Sequence, residues 1–131
     1  MLSYTDGMTV NGEKAKSDSF GYATLNKVWK SGETIEIVIP KNMTVTELNG
    51  KISVSSGIIV LAVDERIEDI DVKVTDKITH VEKITTPFPT REVYNVTFSN
   101  GTTVKMVDFA SAGWDFSHEK GRITVWMDKD N

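Results

Sequence analysis

The side chains whose types could do chemistry gather near the C-terminal end. Trp114 follows Ala112-Gly113 and precedes Asp115, Phe116 and His118. An aromatic ring beside polar groups on a loop can stack on a sugar face, anchor a protein interface or pack within its own domain. All three uses stay open for Trp114. Tyr22 and Tyr94 are further rings that could line a sugar cleft with nearby carboxylates. A metal at this loop would draw on Asp115, His118 and Glu119, but that spacing is no recognised ligand pattern. The expectation is therefore ligand or interface candidates at Trp114, Asp115, His118 and Tyr22, with no metal site.

The other constellations point to structure before catalysis. Asp64, Glu65, Glu68, Asp69 and Asp71 place five carboxylates in eight residues around Arg66. Calcium favours such oxygen ligands, but the run lacks the glycine and alternate-position spacing of an EF-hand. Its expected role is a solvated connection leaving a buried strand. His80 lies between Thr79 and Val81 with no partner suggested by spacing, and reads as a structural or surface histidine. The chain has no cysteine, which removes disulfides, thiolate zinc sites, iron–sulfur clusters and cysteine nucleophiles. Glycoside hydrolysis needs two positioned carboxyl groups, and no pair among the nineteen acids stands out. No Gly-rich phosphate loop and no Gly-x-Ser-x-Gly elbow occurs. Three sequons begin at Asn42, Asn95 and Asn100; Thr-rich strands generate such triplets by chance. No cofactor and no catalytic residue is expected.

Fifteen basic against nineteen acidic residues give a net charge of −4. That balance works against nucleic-acid binding, which depends on neutralising phosphates, and against anionic membranes. The longest apolar run, Ile58 to Val63, is far short of the roughly twenty residues of a membrane span. The start, Met1 to Asp6, has neither the basic region nor the apolar core of a secretory signal. The chain reads as cytoplasmic by default, or as a piece of a longer protein.

The elements that must hold these residues are strands. Thr34 to Ile39 alternates polar and apolar before Pro40, and Tyr22 to Trp29 is rich in β-favouring residues. With the polar turn Lys30-Ser31-Gly32-Glu33 between them, the two read as a hairpin. Asn49-Gly50 predicts a type I′ turn between Thr44–Leu48 and Lys51–Val54, because Asn-Gly tolerates positive φ at both positions. The same signal at Asn100-Gly101 joins Val93–Phe98 to Thr102–Val107, and Asn11-Gly12 gives a third turn after Met8-Thr9-Val10. Ile58 to Val63 is apolar on both faces and predicts a covered central strand. Lys77 to Ile84 and Arg122 to Met127 add strands, the second containing Trp126. Trp29 and Trp126 are expected to pack in or near the core. The stretch Val63 to Val74 has weak helical spacing, but alternation after residue 69 favours a strand. Thr85 to Thr90 reads as a long loop. Nine or ten short strands with regular turn signals indicate one all-β domain over residues 1–131, an antiparallel, jelly-roll-like sandwich.

Several segments carry a family resemblance. These are Val10-Asn11-Gly12-Glu13, Phe20-Gly21-Tyr22-Ala23, and the run from Lys27-Val28-Trp29 through Lys30-Ser31-Gly32-Glu33 to Ile39-Pro40. Together with Val107-Asp108-Phe109-Ala110-Ser111-Ala112-Gly113-Trp114 and Arg122 to Met127, they resemble the C-terminal β-sandwich region of glycoside hydrolase family 127, the β-L-arabinofuranosidases. The order is preserved over about residues 8 to 127. Departures exist: Glu33 stands for the usual Asp, Lys41 follows Pro40, and Ser56-Gly57-Ile58 lacks the family's arginine and proline. The resemblance implies that the family's chemistry lies elsewhere, in an (α/α)6 barrel with a glutamate acid/base, a cysteine nucleophile and a cysteine-bound zinc. No cysteine here can take those roles. The strand before Val10-Asn11-Gly12 looks truncated, as in an excised domain or the end of a longer protein.

The expected function is a non-catalytic accessory sandwich that packs against a catalytic domain of the parent chain or another subunit, a homo-oligomer included. That reading predicts exposed apolar area on the isolated domain. The alternative is a carbohydrate-binding module recognising plant-type oligosaccharides. A complete active site within the chain is disfavoured by its residue inventory.

Overall fold

The computed structural model describes residues 7–116 and 121–131. The contacts divide the chain into two compact units, with the boundary after Asn42. All regular structure among the described residues is β, and no helix there is long and apolar enough to cross a membrane.

The first unit holds one small sheet. Strands β1 (Thr9–Val10), β2 (Glu13–Lys14) and β3 (Ile37–Val38) pair in the order β2-β1-β3, all antiparallel. Asn11 and Gly12 take φ of 50° and 80°, the type I′ geometry that Asn-Gly favours. Asn11 also ties β1 to β3: its amide donates to the Glu36 carbonyl at 2.8 Å, and its Oδ1 accepts from the Glu36 amide at 2.9 Å.

The hairpin expected from residues 22–29 and 34–39 does not form. Only Ile37–Val38 is a strand, and Ala23 makes one isolated bridge to Ser17. The polar turn does form. The Glu33 amide donates to the Lys30 carbonyl at 3.2 Å, while its carboxylate accepts from the Lys30 amide and from Lys27 Nζ. A local turn suffices to close itself, whereas a strand pair needs a face to bury. Here Val28 is 88% exposed, and Val10 is the only buried hydrophobic residue among the described residues of the unit.

The second unit is a β-sandwich. Its strands are β4 (Met43–Leu48), β5 (Lys51–Ser56), β6 (Ile59–Asp64), β7 (Lys73–Val74), β8 (Ile78–Lys83), β9 (Val93–Phe98), β10 (Thr103–Asp108), β11 (Ile123–Thr124) and β12 (Met127–Lys129). The hydrogen-bonded path runs β7-β12-β5-β6-β10-β9-β8, with β4 on β5 and β11 on β6. All pairs are antiparallel except β12 with β7, which is parallel. The core draws Ile52 and Val54 from β5, Val74 from β7 and Met127 from β12. Facing them are Leu61 and Val63 from β6, Val96 and Phe98 from β9, and Val104 and Met106 from β10. These are the alternate positions of each strand, as a two-layer core requires.

β6 links the layers. Its first residues pair with β5 (Ile59 with Ser56, Val60 with Ser55), and its middle pairs with β10 (Leu61 with Asp108, Ala62 with Val107). The gap where β5 and β6 diverge is filled by the C-terminal segment. Ile123–Thr124 pairs with Asp64–Val63, and Met127–Asp128 pairs with Ile52–Lys51. The single strand expected over Arg122–Met127 is therefore two, and Trp126 sits in the bend between them. The Thr124 hydroxyl bridges that bend, bonding both the carbonyl and the amide of Trp126. β6 is fully covered only over Leu61–Asp64; Ile58 and Val60 are exposed, against the expectation of cover throughout.

The hairpin turns differ in type. Asn49 and Gly50 both have positive φ, the expected type I′ turn. At Asn100-Gly101 only the glycine does, at 85°. The Gly101 amide bonds to the Phe98 carbonyl, and the Phe98 amide to the Thr102 carbonyl. That is a three-residue loop, a type I turn closed by a left-handed glycine, and not a type I′ turn. Asn100 is held otherwise: its Nδ2 donates to the Lys73 carbonyl and to Asp130. Residues 63–74 contain no helix, and the strand favoured after residue 69 shrinks to β7.

Candidate functional site

Two buried aspartates organise the loop that carries Trp114. Asp108 ends β10, and its carboxylate is saturated by four donors. Oδ1 accepts from the amides of Arg91 and Glu92, each at 3.0 Å; Oδ2 accepts from the Ser111 amide at 3.1 Å and its hydroxyl at 2.8 Å. Asp64 ends β6. Its Oδ1 accepts from the Arg66 amide and Nε, and its Oδ2 from Arg66 Nη2 at 2.6 Å and from the Gly113 amide at 2.9 Å. Burial pushes both carboxyls up, but the hydrogen bonds they accept outweigh it and hold both below the ordinary aspartate value.

Arg66 completes the clamp. Its guanidinium lies 4.1 Å from the Phe88 ring centroid and 4.7 Å from that of Phe116, and Nη1 donates to the Trp114 carbonyl. One cation thus joins the end of β6, the 85–90 loop and the 109–116 loop. Bidentate pairing and stacking on rings are uses for which lysine is a poor substitute. The loop backbone is fixed at both ends, and Trp114, whose own carbonyl is held, stays 51% exposed. Asp115 follows it with φ of 59° and is exposed.

The solvated connection expected for the acidic run is corrected at its first member. Asp64 is fully buried and is the hub of the clamp. Its position directly after the apolar run Ile58–Val63, with an arginine two residues on, was the available signal. The next acids behave as surface groups. Glu65 pairs with Arg122, whose Nη2 lies 2.8 Å from Oε1, and this pairing holds the Glu65 carboxyl below its usual value. Glu68 accepts from the Lys105 amide, and Asp69 from the Asp71 amide. Among the described residues, no group of three or more His, Cys, Asp or Glu side chains gathers as a metal site.

The other candidates lie apart or elsewhere. Tyr22 belongs to the first unit. There Asp18 Oδ1 accepts from the amides of Phe20 and Tyr22, each at 2.9 Å, and the tight turn leaves the two rings 84% and 72% exposed. Trp29 is part-exposed under Lys27 Nζ, 4.6 Å from its ring centroid, and not in a core. Trp126 is likewise part-exposed at its bend. His80 is exposed on β8. His118 and Glu119 lie outside the described residues.

No protein-family model and no curated protein matches the chain. Solved structures do. A family 127 β-L-arabinofuranosidase from Geobacillus stearothermophilus superposes with a TM-score of 0.62 over 94% of this chain, at 17% identity. A second family 127 β-arabinofuranosidase gives 0.59 over 94%, at 18% identity. The chain has the fold of one part of these enzymes. It spans about a quarter of their length, 24% and 23% respectively. The sandwich resemblance drawn from the Val10-Asn11-Gly12 and Val107–Trp114 segments thus agrees with the three-dimensional match.

Proposed function

We propose that the chain is a non-catalytic accessory domain of a glycoside-hydrolase-related protein, packing against a catalytic domain or another subunit. The observation that carries this reading is the apolar surface of residues 20–39. Phe20, Tyr22, Leu25, Val28, Ile35, Ile37 and Val38 are all exposed in a unit with almost no core of its own. An apolar stretch of that extent is the mark of a surface that a partner covers. The match to about a quarter of each of two glycoside hydrolases is the support for choosing a glycosidase domain as that partner.

Hydrogen–deuterium exchange on the chain alone, and on the chain joined to the glycosidase barrel encoded with it, tests the proposal. Gain of protection over residues 20–39 in the second sample is the expected result. Unchanged exchange there, or a genome that encodes no such barrel before or beside this chain, overturns it. The second reading, a carbohydrate-binding module, is favoured by one feature: an exposed Trp114 on a backbone clamped from both ends. Calorimetric titration with arabinan, xylan and mannan fragments should then give heat that Trp114→Ala abolishes. Absence of heat with all three removes this second reading.

A further inference from the structure

The sheet of the second unit ends on one side at β8, which pairs with β9 and, among the described residues, with no other strand. The phase of its hydrogen bonds shows which backbone groups are open. The Ile84 amide donates to the Val93 carbonyl at 3.2 Å. Antiparallel residues alternate between bonding across the pair and facing away from it. Glu82 and His80 therefore bond toward β9, and Val81 and Lys83 turn their N–H and C=O groups outward. The strand bulges between Ile78 and His80, and the phase changes there. Beyond the bulge the Ser99 amide donates to the Lys77 carbonyl at 2.9 Å, and the Phe98 amide, opposite Ile78, bonds away from β8 to the Thr102 carbonyl. Ile78 is therefore open as well. Ile78 and Val81 are both half-buried, and Ile78 packs on the core.

The sequence along this edge complements itself. It reads Asp76-Lys77-Ile78-Thr79-His80-Val81-Glu82-Lys83. Laid antiparallel on its own copy, with Ile78 opposite the partner's Val81, it sets Asp76 opposite the partner's Lys83 and Lys77 opposite the partner's Glu82. Thr79 then meets the partner's His80. Ile78 and Val81 both face outward, so open donors meet open acceptors in this register. The two-fold also sets bulge against bulge, and the strands keep step. A slip of one residue in one direction sets Lys77 against the partner's Lys83, and in the other sets Asp76 against the partner's Glu82. Both are like-charge pairs, which oppose pairing. Asp76, Lys77, Glu82 and Lys83 are exposed, and the contacts that Glu82 and Asp76 make are long: Glu82 accepts from Asn95 at 3.4 Å, and Asp76 lies 3.9 Å from Lys129 Nζ. Charges and bulges also serve to guard an edge against pairing. A guard works with its charges in any order, whereas these run in the order that an antiparallel copy matches.

We propose that β8 is a homodimerisation edge: two copies of this chain pair their β8 strands antiparallel about a two-fold axis, with Ile78 opposite Val81, and join their sheets into one. The inference rests on β8 alone and not on the accessory role.

Sedimentation of the chain from about 10 µM to about 1 mM should show a monomer–dimer equilibrium, since one strand pair is a small, transient contact. Amide exchange at Ile78 and Val81 should slow as concentration rises. Lys77→Glu and Glu82→Lys each set like charges opposite one another at two symmetric places, and each should weaken association about ten-fold or more. The chain carrying both changes restores the opposite-charge pairs and should regain association. Thermal melts of the variants should match the parent, because both positions are exposed. A chain still monomeric at about 1 mM, a dimer protected elsewhere than β8, or a double variant as weak as the single ones each overturns the proposal. Protection gained by residues 20–39 on joining the barrel is read in the other unit, so the accessory role stands or falls separately.

Discussion

At the scale of single residues, Arg66 and Trp114 are neighbours in the structure with opposite expected consequences. Arg66 has a side chain that is nearly buried against a fully buried Asp64. Removing one partner of such a pair leaves a charge without compensation, at a cost of about 3–5 kcal/mol. Arg66→Met should therefore lower the unfolding free energy by about that much in urea denaturation. The double change Asp64→Leu with Arg66→Met should cost less than the sum of the two single changes. Trp114→Ala keeps the carbonyl that Arg66 holds and should cost about 1 kcal/mol or less. Acid tests the same aspartates. Asp64 and Asp108 have carboxyls lowered in the folded state. Their contribution is complete above the unfolded value of about 3.9 and is lost as pH falls through the lower folded value. Thermal melts should be insensitive to these groups from pH 7 to 5 and fall steeply below about pH 4. Asp108→Asn should flatten that fall. The loop carrying Trp114 was legible in the sequence as a loop. Its clamp was not, because the donors to Asp64 come from positions 66 and 113, and no local pattern links them.

At the scale of elements, turn chemistry was more legible than strand length. Asn11-Gly12 and Asn49-Gly50 adopt the turn their residue types dictate. Asn100-Gly101 does not, because the Asn100 side chain is engaged by Lys73 and Asp130, residues remote in sequence. Gly101 nevertheless needs its left-handed φ, and a Cβ there would meet nothing within 4 Å. Gly101→Ala should therefore cost about 1–2 kcal/mol from backbone conformation alone, and Gly101→Asn clearly less. Chemical denaturation of both variants checks this. Strand length depends on what lies opposite. The strands of the 93–107 hairpin have partners on both sides: β9 forms over the expected Val93–Phe98, and β10 keeps the expected length but lies one residue later, at Thr103–Asp108 and not Thr102–Val107. Residues 22–29 have equal β propensity but, among the described residues, pair only through the isolated Ala23–Ser17 bridge, so they stay irregular.

At the scale of the whole molecule, the burial is uneven. The core cluster lies entirely within residues 43–131, whereas the described part of the first unit buries Val10 alone among its hydrophobics. Limited trypsin digestion of the isolated chain should cut first at Lys16, Lys27 or Lys30 and leave a resistant fragment that begins near residue 42. Mass spectrometry of the time course identifies it. Early cleavage after Lys73 or Lys83 would contradict this order of stability. The all-β class and the antiparallel sandwich were legible from period-two alternation and turn spacing. The parallel contact between β7 and β12 was not, since nothing local to Lys73–Val74 signals a partner more than fifty positions away.

The wedge formed by β11 and β12 bears on synthesis. These two short strands join β6, β5 and β7, and all three leave the ribosome before them. Until residues 123–129 emerge, the diverging edges of β5 and β6 and the edge of β7 carry open backbone donors and acceptors. At about 5–20 residues per second, the interval between β7 and β12 lasts several seconds. The sandwich thus has a closing step that waits on translation, and a nascent chain stalled short of residue 123 offers exposed edges to any neighbouring strand.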